Sequence, residues 1–390
     1  MDDDGPGISY SEKPLKDEIH FEETPLLSQT GVTKQELFFA SYENYEVPFP
    51  IIPSLFPFDV FAASFFLVSR YEEYAHQEKD AHGRFEAKSS LAFRKNFLGK
   101  PVIDEWAIKI LNHLRARFPE IPHRKRAFIF QPTLDIDSAY YIRTETPLRQ
   151  FLKAGRLVLN SFWKGFVKDP FDVYDEVLIW DKEFSTKTIF FMLMNDQHMY
   201  DGRENKKHKL FSSLVQRLKR DFIVGLHPSY SSNEIDGNLA VEKRALETLV
   251  SEEVIVSRQH YLKLTFPATY TNLLKNNINE DWTMLYADLP GFRASTCTAF
   301  LWYNLSEEKK TILSIQPAAL MDQTLRKYMG LSREGAIVEI DKLMRSVKNV
   351  NGTFVSLWHN ESVSGFGVWK GWKQVEFDLG TASVTQTWPQ

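Results

Sequence analysis

The sequence predicts an α/β fold, a distorted (β/α)7 barrel of parallel strands, preceded by a smaller N-terminal α+β domain. Three observations carry that expectation. From Ala127 onward, short apolar runs alternate with amphipathic helical segments. The runs are almost continuously apolar, as in strands covered on both faces. Several end in side chains that can handle a metal, a proton or a carbonyl, and in a parallel barrel the C-terminal strand ends share one mouth.

Taken in order, residues 1 to about 34 are polar and read as a frayed start. An apolar helical segment follows from Phe56 to Tyr74. Its core, FPFDVFAASFFLV, is too short to span a bilayer and carries Asp59, so it reads as a buried helix. A polar turn, DAHGRF, lies at Asp80 to Phe85. The segment Asp104 to Phe118 places Trp106, Ile110, Leu111 and Leu114 at helical spacing. The PEIPHRKR stretch then ends the helix and forms a linker, dividing an N-terminal domain, residues 1–125, from a barrel domain, residues 126–390.

Beyond the linker the apolar runs are AFIFQPTLD, KTIFFMLM, DFIVGLH, EVIVSR, TMLYAD, TILSIQP and TFVSLWH. Helical segments separate several of them, clearest in LVQRLKR, LAVEKRALETLV and REGAIVEIDKLMRSVKN. The last has Ile337, Ile340, Leu343, Met344 and Val347 on one face, Ser332 as its N-cap and Asn351-Gly352 beyond its end. The connection from Tyr140 to about Lys187 is too long for an ordinary loop and reads as helices covering part of the mouth.

Composition narrows the function classes. A chain of 390 residues with 43% hydrophobic residues can bury a sizeable core. A net charge of -4 with interspersed signs gives no footprint for nucleic acid. One cysteine, Cys297, rules out an intrachain disulfide, and the acidic MDDDGPG start lacks the features of a signal peptide, so a cytoplasmic protein is expected. Nothing in the pattern fixes an oligomeric state. The sequons at Asn304, Asn351 and Asn360 have no secretory context.

TLDID places Asp135 and Asp137 two residues apart at a strand end, with both side chains pointing the same way. Such a pair of like charges calls for a cation or a shifted protonation, which suits one carboxylate as a metal ligand and the other as a base. A helix cap or turn pair is the structural alternative. HPSYSS brings His227 to a strand end as a possible metal ligand, with Ser229 and Ser231 able to support a ligand. SRQHY puts Arg258 and His260 on one face. DWTMLYAD offers Asp281 and Asp288, GFRAST offers Arg293, and SLWHN delivers His359 with Trp358 facing the opposite way. Asp322 in MDQT either lines the mouth or caps a helix. Each signal alone has a structural explanation. Their recurrence on successive strands points to an enzyme.

TLDID, HPSYSS, SRQHY, GFRAST and SLWHN, in that order, resemble the polysaccharide deacetylase (NodB-homology) superfamily, carbohydrate esterase family four. The chain most resembles divergent Bacteroidetes-type deacetylase-like proteins, whose N-terminal domain of unknown function carries an SRYEEY…HGRF pattern, here Ser69 to Tyr74 and His82 to Phe85. The resemblance implies a distorted (β/α)7 barrel of the NodB type and hydrolysis of the carbon–nitrogen bond of an N-acetylated sugar or glycan precursor. It assigns Asp135 as general base, Asp137 and His227 as metal ligands, Arg258 as the residue orienting the base, and His359 as general acid. The implied cofactor is a divalent metal ion, zinc by expectation.

One departure bears on the metal. The family motif is His-x-x-x-His, but four residues after His227 this chain has Ser231. His260 stands where the family has proline and is the expected replacement ligand. The alternatives are a metal-independent amidohydrolase on the same barrel and a non-catalytic glycan-binding protein that kept the fold.

Overall fold

The computed structural model describes residues 7–14, 18–52, 55–76, 78–143, 152, 168–195, 198–201 and 206–384. The N-terminal part is ordered earlier than its polarity predicts. Strand β1 (Ile8–Ser11) pairs in parallel with β2 (Ile19–Glu22), and Ile19 and Phe21 are buried. The alternation of apolar and polar residues in IHFE gives β2 one face to bury, which outweighs the polar flanks. β3 (Phe39–Tyr42) and β4 (Tyr45–Pro48) form an antiparallel hairpin.

The apolar segment is a helix from Val60 to Val68, capped by Asp59, whose carboxylate accepts from the amides of Phe61 and Ala62. The expected later helix runs from Val102 to Arg117. Trp106, Phe58, Phe66 and Tyr71 anchor a core that also takes in Leu305 from beyond the linker.

The main sheet contains β5 (Ile129–Ile136), β6 (Ile189–Leu193), β7 (Ile223–His227), β8 (Val256–Ser257), β9 (Glu280–Asp281), β10 (Phe300–Asn304), β11 (Lys309–Ile315), β12 (Leu320–Met321) and β13 (Thr353–His359). Its order is β10-β11-β9-β8-β7-β6-β5-β13-β12. Every pairing is parallel except β10 with β11. The result is a mixed α/β fold in which a nine-stranded sheet curls into a half-barrel, where a distorted barrel of seven parallel strands is expected from the sequence.

Two sequence segments taken as strands are not strands. Thr283 to Asp288 and Gly291 to Thr296 are buried but irregular, and β9 ends at Asp281 before the first of them. Met284, Phe292 and Ala294 pack into the main core, Leu285 and Ala287 onto the concave face and Tyr286 against Phe85, so the apolar runs mark covered chain rather than a ladder. Of the long connection after Tyr140, the structure describes a helix from Tyr174 to Phe184; residues 144–151 and 153–167 lie outside the described residues. No helix among the described residues is long and apolar enough to cross a membrane.

Side-chain alternation divides the sheet cleanly. Leu134, Ile136, Phe190, Met192, Phe354 and Trp358 face the outer helices. Ile189, Phe191, Val355 and Leu357 fill the concave side with Trp282, Leu285 and Met321. Asp135 is in register with His359 on one neighbour and Phe191 on the other, so all three share the concave face.

Candidate active site

Because Asp135 and His359 end adjacent parallel strands and Asp137 lies two residues further on, three polar side chains converge at the mouth of the concave face. His227 ends β7 on the same face, since Gly225, two residues before it, is in register with Phe191. The residues line a single cavity of about 240 Å³ together with Arg84, Tyr200, Tyr261, Gln323, Tyr328 and Glu361. All of the expected catalytic and metal-binding residues border it except Arg258, which lies beneath.

Arg258 is fully buried and its Nη1 donates to Asp135 Oδ1 at 2.9 Å and to Thr133 Oγ1 at 2.7 Å. Three strand spacings on a flat sheet would hold β5 and β8 about 14 Å apart. Curling of the sheet and the length of the arginine close that gap. Nε donates to the Trp282 carbonyl at 3.1 Å, and the guanidinium lies 4.5 Å from the centre of the Phe191 ring. Burial pushes the Arg258 pKa down, and the carboxylate of Asp135 opposes this. One carboxylate oxygen of Asp135 is thus fixed, and the other points toward His227, 3.7 Å from its Nε2.

Asp137, His227 and His260 each turn one ligand atom toward a common point, these atoms lying within 4.8 Å of one another. Asp137 Oδ1 is 3.4 Å from Nε2 of both histidines. His227 Nδ1 is 2.6 Å from the Arg258 carbonyl oxygen, and His260 Nδ1 is 2.9 Å from Asp201 Oδ1. Each ring therefore donates backward from Nδ1 and leaves Nε2 as the lone pair facing the cavity, the arrangement of metal-binding histidines. Asp137 Oδ1 and His227 Nε2 are buried and have no hydrogen-bond partner, an arrangement that fits a divalent cation and is costly without one. Desolvation works against the charge on Asp137, but His260, His227 and His359 together hold its carboxyl well below the usual carboxylate range.

His359 is set apart from that trio by its own carboxylate. Its Nδ1 lies 2.8 Å from Asp322 Oδ1, and Asp322 also accepts from the His359 amide at 2.8 Å and from the Ser362 hydroxyl. Burial lowers the His359 pKa, but Asp322, Asp137 and Asp135 outweigh it and raise it to about 10. The imidazolium is the form present at neutral pH.

The other sequence candidates serve structure. Ser231 faces away from the cavity, accepting from Asn195 Nδ2 at 3.0 Å beside Ser229, which in turn donates to Glu242. The short helix Tyr230–Asn233, capped by the Ser229 side chain, turns Ser231 into this network. Asp281 sits behind Arg258, accepting from Thr283 and Ser257. Asp288 holds the Ala87 amide at 2.9 Å, and Arg293 pairs with Glu73, so neither reaches the cavity. Asp322, which the sequence left between mouth and cap, acts at the mouth through His359.

Three contributors escaped the sequence. Asp201 comes from a polar loop with no strand pattern around it. Thr133 lies inside the quoted TLDID motif but has no charge to mark it. Arg84 belongs to the N-terminal turn, marked only by the polar DAHGRF string and the HGRF part of the N-terminal pattern, neither of which points to the mouth.

Comparison with known proteins gives the following. Residues 1–119 match a family described as "Family of unknown function (DUF7033)". No curated protein matches the chain. A putative polysaccharide deacetylase from Mycobacterium smegmatis is similar at 13% identity and a TM-score of 0.45, over 69% of this chain and 88% of that one. The polysaccharide deacetylase Bc1974 from Bacillus cereus is similar at 12% identity and a TM-score of 0.33, over 67% and 89%. A carbohydrate esterase family four pseudoenzyme from Bacillus anthracis is similar at 11% identity and a TM-score of 0.36, over 68% and 63%, so this chain spans less than two thirds of its length.

Proposed function

We propose that this chain hydrolyses the acetamide of an N-acetylated sugar, with Asp135 as general base and His359 as general acid. The observation that supports the reading best is the separation of roles at one mouth. Asp135 is pinned by Arg258 on one oxygen and open on the other, while His359 is held protonated by Asp322. A base and an acid with divergent environments are the pair that amide hydrolysis needs.

Asp137, His227 and His260 would hold a divalent cation, zinc being consistent with one oxygen and two imidazole donors. When bound, it supplies a Lewis acid for the acetyl carbonyl and acidifies water. The chain's own residues do the rest. Asp135 accepts the proton of the attacking water, Arg258 keeps that carboxylate oriented, and His359 delivers its proton to the departing amine. Tyr200, Tyr261 and Tyr328 on the cavity wall offer apolar ring faces and hydroxyls to a sugar.

The test is acetate release from a panel of N-acetylated sugars by metal-supplied protein. Asp135→Asn and His359→Ala should each lower turnover by roughly 10²- to 10⁴-fold while metal content holds. No acetate from the unaltered protein across the panel would sink the reading.

A further inference from the structure

We propose that Arg84, carried by the N-terminal part of the chain, is a positioning residue for His260, so that this part completes the metal site. The inference rests on reading Asp137, His227 and His260 as metal ligands.

The chain immediately after His260 adopts a left-handed backbone at two successive residues, Tyr261 at φ 59° and Leu262 at φ 54°. Both carry a Cβ, and neither is of the asparagine or aspartate type that tolerates this region best. Such a turn persists only where its surroundings hold it. Here the holding groups come from the DAHGRF turn. Arg84 Nη1 donates to the Tyr261 carbonyl at 2.9 Å, and the His82 ring lies against the Tyr261 ring with centroids 4.8 Å apart.

Arg84 is itself immobilised. Its Nε donates to Asp80 Oδ2 at 2.7 Å and its Nη2 to the Tyr328 hydroxyl at 3.1 Å, so the guanidinium bridges two walls of the cavity. Buried links fix the region carrying this turn against the irregular segments between Thr283 and Thr296. Arg293 donates to Glu73 at 2.9 and 2.5 Å, Arg70 to the Tyr286 hydroxyl at 2.9 Å, and the Ala87 amide to Asp288 at 2.9 Å.

His260 is thus located from three directions. Its amide donates to the Pro228 carbonyl at 3.0 Å, its Nδ1 meets Asp201, and the peptide within the strained turn is held by Arg84. The first two contacts fix the residue's entry and its ring tautomer. Arg84 fixes the exit, and with it the direction in which Nε2 points. Losing that donor lets Tyr261 relax toward an ordinary backbone conformation and carries Nε2 away from Asp137 Oδ1.

The experiment compares unaltered protein with Arg84→Gln and Arg84→Lys by two measurements. Hydrogen exchange in metal-free protein should show the amides of Tyr261, Leu262 and Lys263 exchanging at least about 10-fold faster in Arg84→Gln, with the amides of β5 and β6 unchanged. Titration with cobalt(II), followed by its ligand-field absorption, should show affinity weakened by about 10- to 100-fold with an altered spectrum. Arg84→Lys keeps one donor for the Tyr261 carbonyl and should recover part of both. Unaltered exchange at residues 261–263 in Arg84→Gln overturns the proposal whatever cobalt does. Faster exchange there in a protein whose unaltered form takes up no cobalt sustains the clamp on His260 and removes the metal reading instead. If Arg84→Gln does not fold, Arg84→Lys and Tyr328→Phe carry the same comparison, and wild-type exchange in both overturns the proposal.

Discussion

Asp201 Oδ1 lies 2.9 Å from His260 Nδ1, while its carboxylate also accepts from the Tyr230 amide at 2.6 Å. The carboxylate therefore fixes the tautomer of His260 and the turn that follows His227 at the same time. Asp201→Asn keeps the size and can still accept from the amide, but it weakens the hold on the ring. Metal affinity should fall by about 10- to 100-fold, measured by competition with a chromophoric chelator. Unchanged affinity would show that Asp201 serves the Tyr230 turn alone.

The pairing of His359 with Asp322 makes a pH prediction. A histidine whose folded pKa is raised from 6.5 to about 10 binds more protons folded than unfolded in between. Its stabilising contribution is full below pH 6.5 and is lost as pH rises through 10. Asp322→Asn removes the largest opposing carboxylate, so the variant's stability should fall less steeply between pH 7 and 10, by denaturant unfolding. The alkaline limb of its pH–rate profile should move to lower pH. Parallel stability curves for the two proteins would refute the pairing's electrostatic role.

Ser231→His rebuilds the spacing of the family's metal motif but should not rebuild its site. The Ser231 hydroxyl is buried against Ser229, Asn195 and Asn238, outside the cavity, and an imidazole there would overpack that network. We expect a loss of roughly 1–3 kcal/mol in unfolding free energy and no gain in metal affinity. Tighter metal binding would mean that the turn after His227 can rotate.

Gly225 supports Asp135 from two strands away. A Cβ there would sit 2.9 Å from the Phe191 ring and 3.0 Å from the Val256 carbonyl oxygen. That ring in turn underlies the Arg258 guanidinium. Gly225→Ala should cost about 1–3 kcal/mol of stability and lower turnover more than it changes KM, because the disturbance reaches Asp135 through Arg258. Loss of stability with full turnover would separate the glycine from the chemistry.

What could be read from the sequence follows a physical division. Asp135, Asp137, His227 and His359 were legible because strand ends fix side-chain direction by parity, and a two-residue period survives without knowledge of neighbours. His260 and Arg258 were legible as a pair for the same reason, although β8 stops at Ser257 before either. Asp201 and Arg84 were not, since each reaches the site from a loop whose path no local pattern encodes. The irregular course of Thr283 to Thr296 was misread because apolar composition records burial, and two different packings bury chain equally well. The number of strands differs for a related reason. The antiparallel β10–β11 edge adds a strand that the apolar runs do not include.

Glu73 lies buried between Arg70 and Arg293, which hold its carboxyl ionised against the cost of burial. That arrangement sets where the molecule can be divided. Excising the chain at the exposed linker near residue 125 would remove Glu73 from Arg293 and with it the buried ion pair that joins the two parts of the chain. The same cut would strip Arg84 from the cavity wall. The C-terminal half is therefore not a portable module: its fragment should melt at lower temperature and more gradually than the full chain, and engineering that borrows this mouth must take both halves together.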